Sequence, residues 1–268
     1  MAQQGKYILT YYKIPGRGES LRVLMAAGGI EFEENNVPLP LPIPNPEGSD
    51  IVHFDPGAWA QLKGTTPWGT MPNLTLPNGK TYGQQRALLR FLGKSIKINN
   101  QALYPEDAEK ALLVDGFMDV VEDIWPVLAD TVDPIERAPL LSTLLGIGIQ
   151  EQFLGEQMES SSGPLAMKFD HIERAASDDG PYLLGNHLTV ADVFLFAAIS
   201  WWGAGVFGSM DPILSERPKI KRSIEGVGAL ENIQKYYSGL IETRQSLPKV
   251  GSTDYADYYS NFHALCQI

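Results

Sequence analysis

Apolar and polar positions follow two different periods along the chain, and the change comes near residue 100. Residues 6–12 are rich in β-forming side chains, 19–27 repeat at helical spacing, and 32–37 suit a second strand. Residues 74–76 and 80–82 flank an Asn-Gly pair, which predicts a hairpin, and 87–92 return to helical spacing. After residue 100 no stretch reads convincingly as a strand. Helical periodicity covers roughly 106–130, 135–160, 164–177, 189–204 and 227–246. The predicted order is β-α-β, then a hairpin and a helix, then an all-helical region, without an internal repeat. This is an α/β class followed by all-α, with domains expected at 1–97 and 105–268.

Three segments stand out from that pattern. The run VPLPLPIPNP places Pro at 38, 40, 42, 44 and 46. Alternating prolines cannot join a central sheet and should run extended or as polyproline II. The turn-rich NPEGSD follows at once, so 38–56 reads as an inserted surface loop rather than a docking motif for an SH3-like partner. Residues 193–207 are strongly apolar but about five residues short of a bilayer span, and they contain Gly203 and Gly205. A helix buried in protein is the better reading. That helix starts at LTVADV, where Thr189 is placed as N-cap and Asp192 at N3, a capping-box variant that Leu188 and Val193 can staple. Its role is structural.

Composition narrows the function. In 268 residues, 44% hydrophobic and 20% charged, the chain has the makeup of an ordinary globular protein. A net charge of -11 argues against nucleic acid and against anionic membrane surfaces. A small acidic ligand is still allowed, because a few local cations can overrule a global field. The N-terminus has no basic region followed by an apolar one, so no signal peptide is expected. The single cysteine, Cys266, has no partner for a disulfide, which fits a reducing, cytoplasmic compartment. Histidines at 53, 171, 187 and 263 lack metal-ligand spacing, so no zinc site is expected.

The order of elements and three motifs together resemble the cytosolic glutathione transferases, and most closely their sigma class. The motifs are YILTYYKIPGRGESLR, AWAQLKGTTPWGTMPNL and LLGNHLTVADV. The resemblance spans nearly the whole chain apart from the proline-rich insertion and the last twenty or so residues. It implies a thioredoxin-like N-terminal domain (βαβ-ββα), an all-helical C-terminal domain and a homodimer. Read alone, Pro72 in GTMPNL is the start of an edge strand. The resemblance instead implies a cis Pro72 after a residue whose backbone pairs with glutathione as a short added strand.

The implied site follows residue by residue. Tyr11, at the end of the first strand, matches the tyrosine whose hydroxyl favours the thiolate of glutathione, and alternation turns Tyr12 to the opposite face. No Cys or Ser activator stands near that strand, since Ser20 belongs to the following helix. Arg17 matches the arginine beside the tyrosine. Trp59 and Lys63, four apart on one helical face, match the pair at the glycine end of glutathione. Thr70 and Met71 line the strand-like contact before Pro72. Gln84 and Gln85 stand at a helix N-terminus, a natural seat for the γ-glutamyl carboxylate. Relatives usually carry Ser where Gln85 stands; Gln85 offers its backbone N–H and an amide donor.

In VDGFMDVVEDIW, Asp115, Asp119, Glu122 and Asp123 form one acidic stripe at helical spacing. Such stripes are usually solvated faces. The resemblance adds two possibilities: Asp123 reaching the glutathione amine of the neighbouring subunit, and a divalent ion, magnesium or calcium, at Asp119, Glu122 and Asp123. It also implies a pocket for an apolar electrophile with Ile14, Pro15 and Trp125. The activity expected is conjugation of the glutathione thiolate to apolar electrophiles. The alternatives are a glutathione-dependent isomerase of the prostaglandin D synthase type and a non-catalytic, crystallin-like binding protein.

Overall fold

The structure is a computed structural model and describes residues 5–12, 15–37, 42–43, 53–54, 57–130, 163–202, 210 and 214–245. Two compact units, Met1–Leu92 and Gly93–Ile268, make up the chain.

The first unit is built on a four-stranded sheet. Its elements are β1 (Tyr7–Tyr12), α1 (Gly16–Ala27), β2 (Phe32–Val37), α2 (Gly57–Lys63), β5 (Asn73–Thr75) and β6 (Thr81–Gly83), and α3 (Gln85–Ser95) begins in it. The strand order is β2-β1-β5-β6. β1 runs parallel to β2, Tyr11 opposite Asn36, and antiparallel to β5, Leu9 opposite Leu74. Leu9, Leu21, Leu24, Leu74, Leu89 and Leu92 are fully buried, so the apolar sides of sheet and helices supply the core. Between β5 and β6 the loop Pro77–Gly79 closes with Gly79 N–H bonded to the Leu76 carbonyl at 2.8 Å. Gly79 alone there is left-handed (φ 80), which suits a three-residue hairpin loop with glycine last. In the proline-rich insertion, β3 (Pro42–Ile43) pairs with β4 (His53–Phe54), apart from the main sheet. The remainder of 38–56 lies outside the described residues.

The second unit opens with a small hairpin absent from the sequence reading, β7 (Lys97–Ile98) and β8 (Gln101–Ala102). Asn99 and Asn100 between them have φ 52 and 62, the twin left-handed geometry of a tight hairpin turn. The helices are α4 (Ala108–Asp130), α5 (Pro164–Ala175), α6 (Val190–Trp201), α7 (Pro218–Gly228) and α8 (Glu231–Gln245). α4 packs on α5 and α6, and α7 packs on α5, α6 and α8. Two differences from expectation stand out. α7 was not foreseen, and the single helix expected over 227–246 breaks at Ala229, leaving α8 to begin at Glu231. The helix expected over 135–160 lies outside the described residues.

All of α6 is buried. Among the described residues no helix is long and apolar enough to cross a membrane. Asp192, wholly buried, anchors its first turn. One carboxylate oxygen accepts from the Thr189 N–H (2.9 Å) and hydroxyl (2.8 Å), the other from the Leu183 N–H (2.7 Å) and the Ser223 hydroxyl (2.8 Å). Burial pushes its carboxyl upward, and those four donors oppose the shift.

Candidate active site

β1 buries alternate residues, Leu9 and Tyr11, so the Tyr11 ring faces inward beneath the start of α1. Glycines on either side of Arg17 make that possible. A Cβ at Gly16 would lie 2.7 Å from the Tyr11 hydroxyl, and one at Gly18 only 2.6 Å from Cδ1. Gly16 is also left-handed, with φ 44. The Arg17 N–H donates to the Tyr11 hydroxyl at 3.0 Å. Burial raises the Tyr11 phenol above its ordinary value; the Arg17 N–H and the charges of Arg17 and Arg22 offset part of that. A phenol held neutral keeps its proton. With one lone pair occupied by Arg17, the O–H is available to an outside acceptor.

Arg22 escaped the sequence reading. Its guanidinium lies 5.9 Å from the Tyr11 ring centroid. It donates to Glu34 at 2.7 Å, Glu19 at 3.2 Å, the Pro15 carbonyl at 3.3 Å and the Tyr12 carbonyl at 3.4 Å. One buried cation thus ties β1, α1 and β2 together around the tyrosine. The available signal was the pair Glu19 and Arg22, three apart on the buried side of a helix.

The other residues of the first unit lie on α2, at the β5 threshold and at the start of α3. The peptide bond before Pro72 is cis. Thr70 is exposed, Met71 partly buried and Pro72 buried. Among the described residues nothing pairs with the Met71 N–H or C=O, while Asn73 donates from its side chain to the Thr70 carbonyl at 2.9 Å. Trp59 is half-buried on α2, and Lys63 is exposed at its last position, with Cε 3.8 Å from a Cβ built on Gly69. Gln84 is exposed and left-handed (φ 71), and α3 starts at Gln85.

Gln85 departs from expectation. Its amide turns inward, donating to the Arg17 carbonyl at 2.7 Å and to Ser20 Oγ at 2.8 Å. Both amide hydrogens are spent inside the unit, so only the backbone N–H is left to serve a carboxylate there.

In the second unit the acidic stripe of α4 is partly engaged. Asp115 accepts from the Tyr104 hydroxyl at 3.1 Å, and Asp123 pairs with Lys168 of α5 at 2.8 Å. Asp119 is exposed and Glu122 half-buried. Among the described residues no three His, Cys, Asp or Glu side chains gather as a metal site. The divalent ion expected at Asp119, Glu122 and Asp123 therefore lacks support. Trp125 packs against Trp201 and Trp202, with ring centroids 4.9 and 5.4 Å away. Pro15 is buried at the head of α1, and Ile14 lies outside the described residues.

The family model described as "Glutathione S-transferase, C-terminal domain" matches residues 156–239. The chain is 26% identical over 234 residues to "Glutathione S-transferase 1" of Ascaris suum, covering 86% of this chain and 95% of that one. It is 27% identical over 233 residues to "Glutathione S-transferase alpha M14" of Sus scrofa, covering 87% and 88%. In fold it is similar to a prostaglandin synthase D structure from Nilaparvata lugens, with TM-score 0.61 and 20% identity over 91% of this chain and 100% of that one. Nematode and alpha-named relatives occur side by side, so the likeness is to glutathione S-transferases in general and singles out no class among them.

Proposed function

From the chain's likeness to curated glutathione S-transferases, we propose that it belongs to that family and conjugates the glutathione thiolate to apolar electrophiles with Tyr11 as thiol activator. The observation that carries this reading is the bond from the Arg17 N–H to a buried, neutral Tyr11 hydroxyl. A free thiol has a pKa of about 8.5, so little of it is thiolate at neutral pH. A hydroxyl donating to sulfur favours the anion. The thiol proton leaves to solvent, and the sulfur lone pair then forms the bond to the electrophilic carbon. A displaced group departs with its electron pair or, in an addition, the adjacent atom takes a proton from water.

Within this proposal the Met71 backbone before Pro72 pairs with the tripeptide. Lys63 and Trp59 receive its glycine end, Thr70 lines the contact, and the first amides of α3, at Gln84 and Gln85, receive the γ-glutamyl carboxylate. The glutathione-binding domain is 1–97 and the helical domain 105–268. Asp123 serves the partner of a cytoplasmic, sigma-like homodimer. Conjugation is preferred to prostaglandin-type isomerisation because the curated relatives are named as transferases. Calorimetry with glutathione, paired with a chromogenic conjugation assay, tests the reading. Binding plus turnover is the expected result; neither binding nor turnover would sink it.

A further inference from the structure

One side chain fastens the start of α3 to the start of α1. Gln85 is only 7% exposed, and its Nε2 reaches the Arg17 carbonyl at 2.7 Å and Ser20 Oγ at 2.8 Å. The Arg17 N–H, in turn, donates to the Tyr11 hydroxyl at 3.0 Å. Both polar groups of the Arg17 backbone are thereby held, the carbonyl by Gln85 together with the Ser20 hydroxyl at 3.4 Å and the N–H by Tyr11. They lie on opposite sides of its Cα, so holding them restrains φ and ψ and the direction of the N–H. The orientation of the amide follows from its partner: a carbonyl only accepts, so the atom facing it is the nitrogen.

We propose that Gln85 is a positioning residue for thiol activation. It holds the Arg17 backbone so that the Arg17 N–H occupies one side of the Tyr11 oxygen and the Tyr11 proton is directed at the glutathione sulfur. The proposal rests on the transferase reading above. The Gln85 Oε1 atom supports it indirectly, being buried without a hydrogen-bond partner. A side chain present only to fill space would be apolar, since an orphaned oxygen is unfavourable. The nitrogen is the half of the amide with a task.

Gln85→Met keeps the length and removes both donors. The unmutated chain is measured first, by glutathione binding and the ultraviolet absorbance of its bound thiolate. Failure at that stage counts against the transferase reading and leaves the role of Gln85 to the amide-exchange measurement below. With an active parent, the kcat/KM–pH profile of Gln85→Met should move upward by about half to one pH unit. At neutral pH, kcat/KM should fall about three- to tenfold, carried mostly by kcat. Gln85→Leu, equally without donors, should behave alike. An unshifted profile with the loss confined to KM overturns the proposal. Should both variants fail to fold, proton exchange in the unmutated chain decides. The Gln85 side-chain amide should exchange more slowly than that of exposed Gln84, and equal rates overturn the clamp.

Discussion

At the scale of single residues, Tyr11 is the test of the chemistry. Tyr11→Phe removes only the hydroxyl, so glutathione should still bind while conjugation falls about ten- to thousandfold. Tyr12→Phe should cost much less. Burial also makes a titration prediction. The Tyr11 phenol is raised in the folded chain, so its contribution to stability is intact below the unfolded value near pH 10 and is lost as pH climbs through the folded value. Ultraviolet difference titration should show late phenolate ionisation from Tyr11, Tyr12 and Tyr182, with its amplitude reduced in Tyr11→Phe; an unchanged late amplitude in that variant would contradict the raised Tyr11 phenol. Gly18→Ala would press a methyl on the same ring, 2.6 Å from Cδ1, and bring it to 3.2 Å from the Arg22 guanidinium, and should lower activity. The cis bond before Pro72 was expected from the resemblance its neighbouring residues carry, and the opposite facing of Tyr11 and Tyr12 followed from strand alternation. The inward turn of Gln85 was not legible, since its carbonyl partner lies 68 residues away.

At the scale of elements, local period and local turns were readable where they acted alone. The strand at 32–37 and α4, α5 and α6 fall where periodicity places them. α7 was missed although Ile220, Ile224 and Val227 sit at helical spacing and are buried. Its start carries no side-chain cap of its own. Instead the Glu173 carboxylate of α5 accepts from the N–H groups of Lys219 and Ile220 at 3.0–3.1 Å. A cap supplied from another helix leaves no mark beside the helix it caps. The opening of α6 is the opposite case, since Thr189 and Asp192 were recognisable from their spacing. Asp192→Ala would strand four buried donors and should lower stability by about 2–4 kcal/mol in urea unfolding. A loss within about 0.5 kcal/mol would show that the four bonds contribute little net stability.

At the scale of the whole molecule, assembly is the open variable, and Asp123 is its probe. Its pair with Lys168 is more than half exposed on the aspartate side, so it contributes at most about 1 kcal/mol and can be exchanged for another partner. If Asp123 reaches the glutathione amine of a second subunit, Asp123→Asn should raise the glutathione dissociation constant about tenfold, and ultracentrifugation should find a dimer. A fully active monomer rules out the shared arrangement. The tether at Asp192 has a consequence in time as well as in stability. Its bonds come from residues 3, 9 and 31 positions away along the chain. The first two close over short loops, while the Ser223 bond waits for a distant segment to arrive, a slower event with a larger entropic toll. If the Ser223 bond forms only after the folding barrier, Ser223→Ala should hasten unfolding far more than it delays folding, and stopped-flow folding and unfolding rates that change equally would contradict that order.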